Sequence, residues 1–494
     1  MDALHELIHS LTPNEKGYFK KNAGGSANYI KLFDAIDAQE LYDEAAIKKK
    51  FKAEKFIIQF SVAKNYLYEA ILKALSAYSA EQYIEQKVFA IFSQTQLLTD
   101  KGLYHQAFKW LKKGIDICET NELIGLRFQL HLLERKLYLL QATDKEAAMP
   151  VVDLIRTSDY ITRAITDYTQ LLALHYQQMA IAYESSTIKG DQQKKTHEAI
   201  FKQAQQVVPT TRMAAMLQAD VRINYYSSKA DYEKSYHEIA DALSKIKTHP
   251  YYNNHEQIST VILYDLALTD ALRTGKLKEF EKHLSDFKKL ELSSEPVKIS
   301  ATLSYARFAL VYFDMKAERK KLMVLTDETQ KQVKTYGAKI RKDLHLGVII
   351  AFCSAMLEYG EYQRALDWIA LYREYPKLDR HYDFQAFILI FQLIAHYELG
   401  NAVFVNNILE SFRYFLKKNK QQTPFEEIIL LSFKHLSQIT DKEKLQEKLE
   451  KHLTELRSYA DHFPGAANNV VLPIFAAFLQ CKTAGKKYHE FLGK

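Results

Sequence analysis

Two distant stretches of this chain carry one pattern. Asp100–Asp116 reads D-K-G-L-Y-H-Q-A-F-K-W-L-K-K-G-I-D, and Glu358–Tyr375 reads E-Y-G-E-Y-Q-R-A-L-D-W-I-A-L-Y-R-E-Y. Laid over each other, Gly102 meets Gly360, Tyr104 meets Tyr362, Ala107 meets Ala365, Trp110 meets Trp368 and Leu111 meets Ile369. These are the only two tryptophans in the chain. A small residue followed by apolar positions at helical spacing marks a helix end, a tight turn and a second amphipathic helix. When such a unit recurs, each copy buries its apolar face against the next, so the expected architecture is a stack.

The frame extends along most of the chain. Mid-pair breaks are expected near Gly102, Thr143, Gly190, Ala230, Gly275, Met315, Gly360, Gly400 and Thr440, about 40–47 residues apart, a period typical of solenoids. Weaker copies keep their inward positions: Gly275 leads to Phe280 and Leu284, Gly400 to Val405 and Leu409, Ala230 to Ser235 and Ile239. Pro209, Pro250, Pro296, Pro376 and Pro424 fall between pairs, just before a first helix, where proline sacrifices no helical hydrogen bond. Pro150 breaks that rule and is expected near the start of a second helix.

Composition agrees with helix. Of 494 residues only 15 are Gly and 9 are Pro, and 47% are hydrophobic, enough for a large core. The 32 tyrosines suit both packing between helices and exposed binding faces. A net charge of +7, with both signs intermixed, gives no concentrated basic face. Cys118, Cys353 and Cys481 are far apart and odd in number, which points away from a disulfide framework and towards a reducing compartment. The opening M-D-A-L-H-E-L-I-H-S-L-T lacks the features of a signal peptide, and Leu346–Met356 is too short to span a membrane. A soluble cytoplasmic protein is the expectation.

The small residue at the break, the aromatic two on, the Ala five on and the bulky residues eight and nine on resemble the tetratricopeptide-repeat (TPR) superfamily over roughly residues 80–458. The period exceeds the 34-residue TPR unit, which implies longer helices or a TPR-like variant. The segment Leu11–Lys21, L-T-P-N-E-K-G-Y-F-K-K, is also similar to the opening of a group of bacterial TPR-like α-solenoid proteins, a likeness that brings no activity with it. The superfamily resemblance implies a right-handed superhelix whose first helices line a concave groove that binds peptides, helices or partner domains.

Residues 1–78 read as a separate helical unit. Thr12-Pro13-Asn14-Glu15 has the form of a helix start, Gly24-Gly25-Ser26 a break, and Tyr29–Ile36 a short helix. Lys48-Lys49-Lys50-Phe51-Lys52 ends another. Ser61 is placed to cap a longer helix whose Val62, Tyr66, Ala70, Ala74 and Tyr78, beside Leu67, Ile71 and Leu75, form a wide apolar stripe. Two chemical readings attach here. His5-Glu6-Leu7-Ile8-His9 matches H-E-x-x-H, in which two histidines one turn apart bind Zn²⁺, with Glu40 or Glu44 as a nominal third ligand. The plainer reading is an amphipathic first helix with Leu4, Leu7, Ile8 and Leu11 inward and the histidines wet. Lys48–Lys55, with Lys64, Asn65 and Glu69 on the next helix, could instead contact DNA in helix-turn-helix fashion. The alternative is a structural cap on the stack.

Neither Gly24-Gly25-Ser26 nor Ala484-Gly485-Lys486 has the form of a phosphate loop, and no nucleophile motif is present. Hence we expect no catalytic set, cofactor or metal. Partner contacts are expected from polar and aromatic residues on first helices: Tyr176, Gln177 and Tyr183; Arg222, Asn224 and Tyr226; Tyr264 and Asp265; Tyr305 and Arg307.

The expectation is therefore an all-α, TPR-like right-handed solenoid of about nine helix pairs over residues 79–458. A helical unit at 1–78 precedes it, and a cap at 459–494 follows, built on Val470, Val471, Leu472, Ile474, Phe475 and Phe478 with a polar tail from Lys482. The expected function is a non-catalytic scaffold for a protein or peptide. The alternative is a transcriptional or signalling regulator whose N-terminal unit touches DNA.

Overall fold

The computed structural model describes residues 2–22, 27–79, 83–140, 151–184, 191–249, 256–373, 382–419, 423–462 and 471–492. The breaks expected at Gly24–Ser26, Thr143 and Gly190, together with Pro150, Pro250, Pro376 and Val470, lie outside them. Among the described residues the chain is all-helical, with no strand. It divides into two compact units, one of residues 1–168 with 210–213 and one of residues 169–209 with 214–494.

The first unit opens with α1 (Ala3–Ser10), α2 (Pro13–Asn22), α3 (Ala27–Asp37), α4 (Glu44–Lys50) and, after a 3-10 turn at Lys55–Gln59, α5 (Phe60–Ser79). Helix α2 starts as expected. The Glu15 carboxylate accepts the Thr12 N–H at 2.7 Å, and the Glu15 N–H donates to Thr12 Oγ1 at 3.3 Å, a reciprocal cap. Helix α5 differs from expectation at its start. The 3-10 turn feeds straight into Phe60, so Ser61 lies inside the helix. Its buried face is Phe60, Ala63, Leu67 and Ile71, packed with Leu4, Ile8, Phe19, Phe33 and Ile36, whereas Val62 and Tyr66 point to solvent. Of the expected stripe, Leu67 and Ile71 lie in the buried face and Val62 and Tyr66 do not.

Helices α6 (Ile84–Asp100), α7 (Tyr104–Thr120) and α8 (Ile124–Leu140) pack as a layer. They approach closely at Gly114, where an added Cβ would sit 3.0 Å from both Ile91 and Leu130. Helix α9 (Val151–Glu184) then runs unbroken for 34 residues. That length does not fit a regular alternation of first and second helices, so a uniform series of nine pairs is not what the described residues display.

The second unit takes in the end of α9 from residue 169, then α10 (Asp191–Gln206), α11 (Arg212–Ser228) from residue 214 on, α12 (Tyr232–Thr248), α13 (Gln257–Arg273), α14 (Leu277–Lys288), α15 (Glu295–Met315) and α16 (Arg319–Tyr336). They are followed by α17 (Lys342–Glu358), α18 (Tyr362–Arg373), α19 (Tyr382–Glu398), α20 (Ala402–Asn419), α21 (Pro424–Gln438) and α22 (Lys442–His462), and last by α23 (Val471–Thr483) and α24 (Tyr488–Leu492). From α12 to α16 and again from α17 to α24 each helix packs on the next, and the first helices α13, α15, α17 and α19 also pack on one another in sequence. That is the signature of stacked pairs.

One turn builds the pairs. Gly102, Ala230, Gly275, Ala317, Gly360 and Gly400 all adopt left-handed φ values, between 54° and 74°. In each, the next N–H reaches back five residues, from Leu103 to Leu98, Asp231 to Tyr226, Lys276 to Ala271, Glu318 to Phe313, Glu361 to Met356 and Asn401 to His396, at 2.8–3.0 Å. This satisfies carbonyls that a helix end would otherwise orphan. The break expected near Met315 falls at Ala317. Counted from these residues, the fifth position on is Ala107, Ser235, Phe280, Leu322, Ala365 or Val405, and each is buried. The ninth is Leu111, Ile239, Leu284, Thr326, Ile369 or Leu409, also buried.

The C-terminal helices do more than seal an end. Helix α23 packs on α19 and α22, and α24 packs on α17. The Lys482 ammonium meets Glu398 at 2.5 Å, both nearly buried, and Tyr488 is 1% exposed. His489 Nδ1 lies 3.1 Å from the Tyr362 hydroxyl, and a Cβ on Gly360 would come within 2.8 Å of its ring. The polar tail expected from Lys482 is thus partly core.

Candidate interaction surface

Of the two histidines of the H-E-x-x-H stretch, His9 is exposed as expected and His5 is not. Both lie on the face of α1 turned to the C-terminal end of α3. His5 is buried and its Nε2–H donates to the Gln39 carbonyl at 2.9 Å, while His9 Nε2 lies 3.4 Å from the Ile36 carbonyl. The rings sit 4.1 Å apart. They satisfy the carbonyls of a helix end, a structural task. Glu44, a nominal third ligand, is held by Lys48 and Lys64 instead, and those ammonium groups pull its carboxyl down to about 2. Among the described residues no group of three or more His, Cys, Asp or Glu side chains gathers as a metal ligand set.

Lys64 is also diverted from the role sketched for it at DNA. It bridges Asp2 and Glu44 at 2.8 Å each and lies over the Tyr42 and Phe60 rings. Asn65 and Glu69 remain exposed on α5, as do Lys49, Lys50, Lys52 and Lys55 before it. The three cysteines are free and buried, and burial pushes the Cys118 and Cys481 thiols up to about 12, away from nucleophilic thiolates.

The residues expected to contact a partner divide by environment. Tyr176 is 59% exposed on α9, beside exposed Gln177; the side chain of Tyr183 lies outside the described residues. On α11, Asn224 is exposed, whereas half-buried Arg222 is engaged, its Nε donating to Glu238 and its Nη1 to Gln218, both at 2.8 Å. Tyr226 leans edge-on against Phe201 and Tyr225 with Lys234 over its ring. Tyr264 is a correction: at 1% exposed it stacks flat on Phe287, 5.4 Å between centroids, and belongs to the packing of α13 on α14. Tyr305 approaches the same Phe287 at 6.5 Å. Asp265 and Arg307 are brought together, Nη2 donating to both carboxylate oxygens at 2.7 Å.

One feature escaped the sequence reading. Lys194, Lys195, Glu198, Ala199 and Lys202 on α10 and Lys229 just past α11 line a shallow concavity. Glu198 is the one carboxylate among them. It accepts the Tyr225 hydroxyl at 2.6 Å, with Lys202 at 3.5 Å and Lys229 at 3.6 Å. The Tyr225 bond and then these two cations lower the Glu198 pKa, and the carboxylate in turn raises the tyrosine to about 12. Lysines at positions one, two and nine of a helical window share a face, a signal present in the sequence. What the sequence lacked was the proximity of α10 to Lys229.

No family model matches this chain, and no curated protein or solved structure matches it either. No helix among the described residues is long and apolar enough to cross a membrane.

Proposed function

We propose that this chain is a non-catalytic, TPR-like helical-repeat scaffold that holds a protein or peptide on the exposed side chains of its first helices. The carrying observation is the stack itself: α13, α15, α17 and α19 pack side by side, each pair turned by the same left-handed residue. A stack of this kind presents one side-chain row per repeat, and binding along such a row draws on a few large anchors. Tyr176, Gln177 and Asn224 have the exposure for that role, with Tyr226 and Arg222 beside Asn224 on α11. In this reading the stack is a right-handed superhelix and the protein works in the cytoplasm.

The test is capture of partners by the tagged full chain from its host's lysate, with and without nuclease. A partner that survives nuclease and is lost with Tyr176→Ala plus Asn224→Ala supports the scaffold. Capture unchanged by that pair of substitutions overturns the assignment to this surface. A second reading, in which the N-terminal unit also touches DNA, draws on exposed Lys49, Lys50, Lys52 and Asn65. It requires duplex binding that falls steeply with salt and with neutralisation of those lysines.

A further inference from the structure

The concavity on α10 has a chemistry that selects among partners. Lys194, Lys195, Lys202 and Lys229 line it together with one carboxylate, Glu198, which Lys202 and Lys229 approach and which is already hydrogen-bonded to Tyr225. We propose that this surface docks an acidic polypeptide segment, whose Asp and Glu side chains pair with the lysines on either side of Glu198. This deepens the scaffold reading and rests on it.

Two observations favour a polypeptide over a nucleic acid. A continuous phosphate backbone that follows these lysines would pass the Glu198 carboxylate set among them, whereas discrete side chains step to either side of it. Single-stranded nucleic acid also relies on open aromatic faces for base stacking, and Tyr225 offers none. One face of its ring lies against Phe201, 4.0 Å away and nearly parallel, and Lys229 lies over the ring at 5.5 Å. The lysines act as point charges on flexible stems and tolerate varied carboxylate spacing, where arginine forks would demand a fixed geometry. Attraction of this kind is strongest at low salt and speeds association.

The probe is a fluorescein-labelled octaglutamate peptide, titrated with the full chain at low ionic strength and read by anisotropy. The test variant is Lys194→Glu, Lys195→Glu and Lys202→Glu together. A charge-matched control places Lys444→Glu, Lys448→Glu and Lys451→Glu on the exposed face of α22. Circular dichroism confirms that both retain the fold. The expected result is a loss of about tenfold or more in affinity for the test variant, roughly 1.4 kcal/mol, and about twofold or less for the control. No binding by the unmodified chain overturns the proposal. So does equal loss in both variants, which means attraction by net charge alone. A labelled oligothymidylate that binds more tightly and is lost with the same lysines assigns the surface to nucleic acid and also overturns it. Native partners still captured by the lysine variant leave the scaffold standing and remove this site from it. Octaglutamate binding without any captured partner does the reverse.

Discussion

Arg307 on α15 reaches back to Asp265 on α13 and donates to both carboxylate oxygens at 2.7 Å, while a Cβ on Gly347 of α17 would lie 2.9 Å from the Arg307 Nη1 atom. Three successive first helices therefore meet at one guanidinium. The pair is about a quarter exposed on each side, so solvent screens it. A double-mutant cycle of Arg307→Ala and Asp265→Ala, followed by urea denaturation, should return a coupling of about 0.5–1 kcal/mol. Gly347→Ala alone should gain little, because the new methyl displaces the guanidinium. In the Arg307→Ala background it should stabilise by about 0.5–1 kcal/mol, the ordinary gain from removing a helical glycine.

Ala230 and Ala317 occupy a backbone region that glycine fills in the other turns, with φ of 57° and 54°. A side chain there costs about 1–2 kcal/mol. Each should gain roughly 0.5–1 kcal/mol on substitution by Gly, after the greater chain entropy of Gly in the unfolded state is deducted. Thermal melts of Ala230→Gly and Ala317→Gly check this. Gly360→Ala should move the other way, and further than Gly102→Ala, because only at Gly360 does the new Cβ also meet His489.

Trp110 and Trp368 share a frame but not a burden. Trp368 is 1% exposed and stacks on Phe352 at 4.8 Å, whereas Trp110 is half-buried with Lys113 over its ring at 4.8 Å. Trp368→Ala should cost about 3–5 kcal/mol, and Trp110→Ala distinctly less. Comparable losses in chemical denaturation would contradict the difference in packing.

Two groups pull stability in opposite directions with pH. Burial lowers His345 to about 4 from its ordinary 6.5, so the unfolded chain takes up the proton first as pH falls. The stability that the neutral ring contributes is complete above pH 6.5 and lost on descent towards 4, by about 3 kcal/mol in all. Burial raises Asp220 from 3.8 to about 7, so its contribution is complete below pH 4 and lost as pH rises through 7. Between these limits the slopes offset. Asp220→Asn should steepen the acid loss of stability between pH 6.5 and 4, and it should stabilise the protein at pH 8.

The pair frame was legible because each part of it leaves a local mark. A left-handed residue favours Gly, and inward positions follow the helical period from it. Where the mark is missing the frame is less sharp: Ala317 looks like any helical alanine, so the period points only near Met315, two residues before the turn. Helix α9 spans a stretch where the period calls for the second helix of one pair and the first of the next, because an unbroken helix carries no end signal to set against the period. Tyr264 could have faced either way, since a tyrosine suits a core and a surface equally; only the neighbouring Phe287 decides. The H-E-x-x-H stretch was ambiguous for a related reason. Its histidines lie on one face, but what that face meets, the end of α3, is separated from it by some thirty residues of chain. The lysine concavity needed α10 and Lys229 side by side, which no single window shows.

Helices that touch only their neighbours can come apart one pair at a time, like a zipper opened from its end. The return of α24 onto α17 and of α23 onto α19 removes that option. Lys482, Tyr488 and His489 clasp helices that lie far back along the chain, so none of the intervening pairs can fray without breaking the clasp. Amide hydrogens from α17 to α24 should therefore exchange with solvent in one concerted opening, and a single substitution at Glu398 should speed exchange across that whole block.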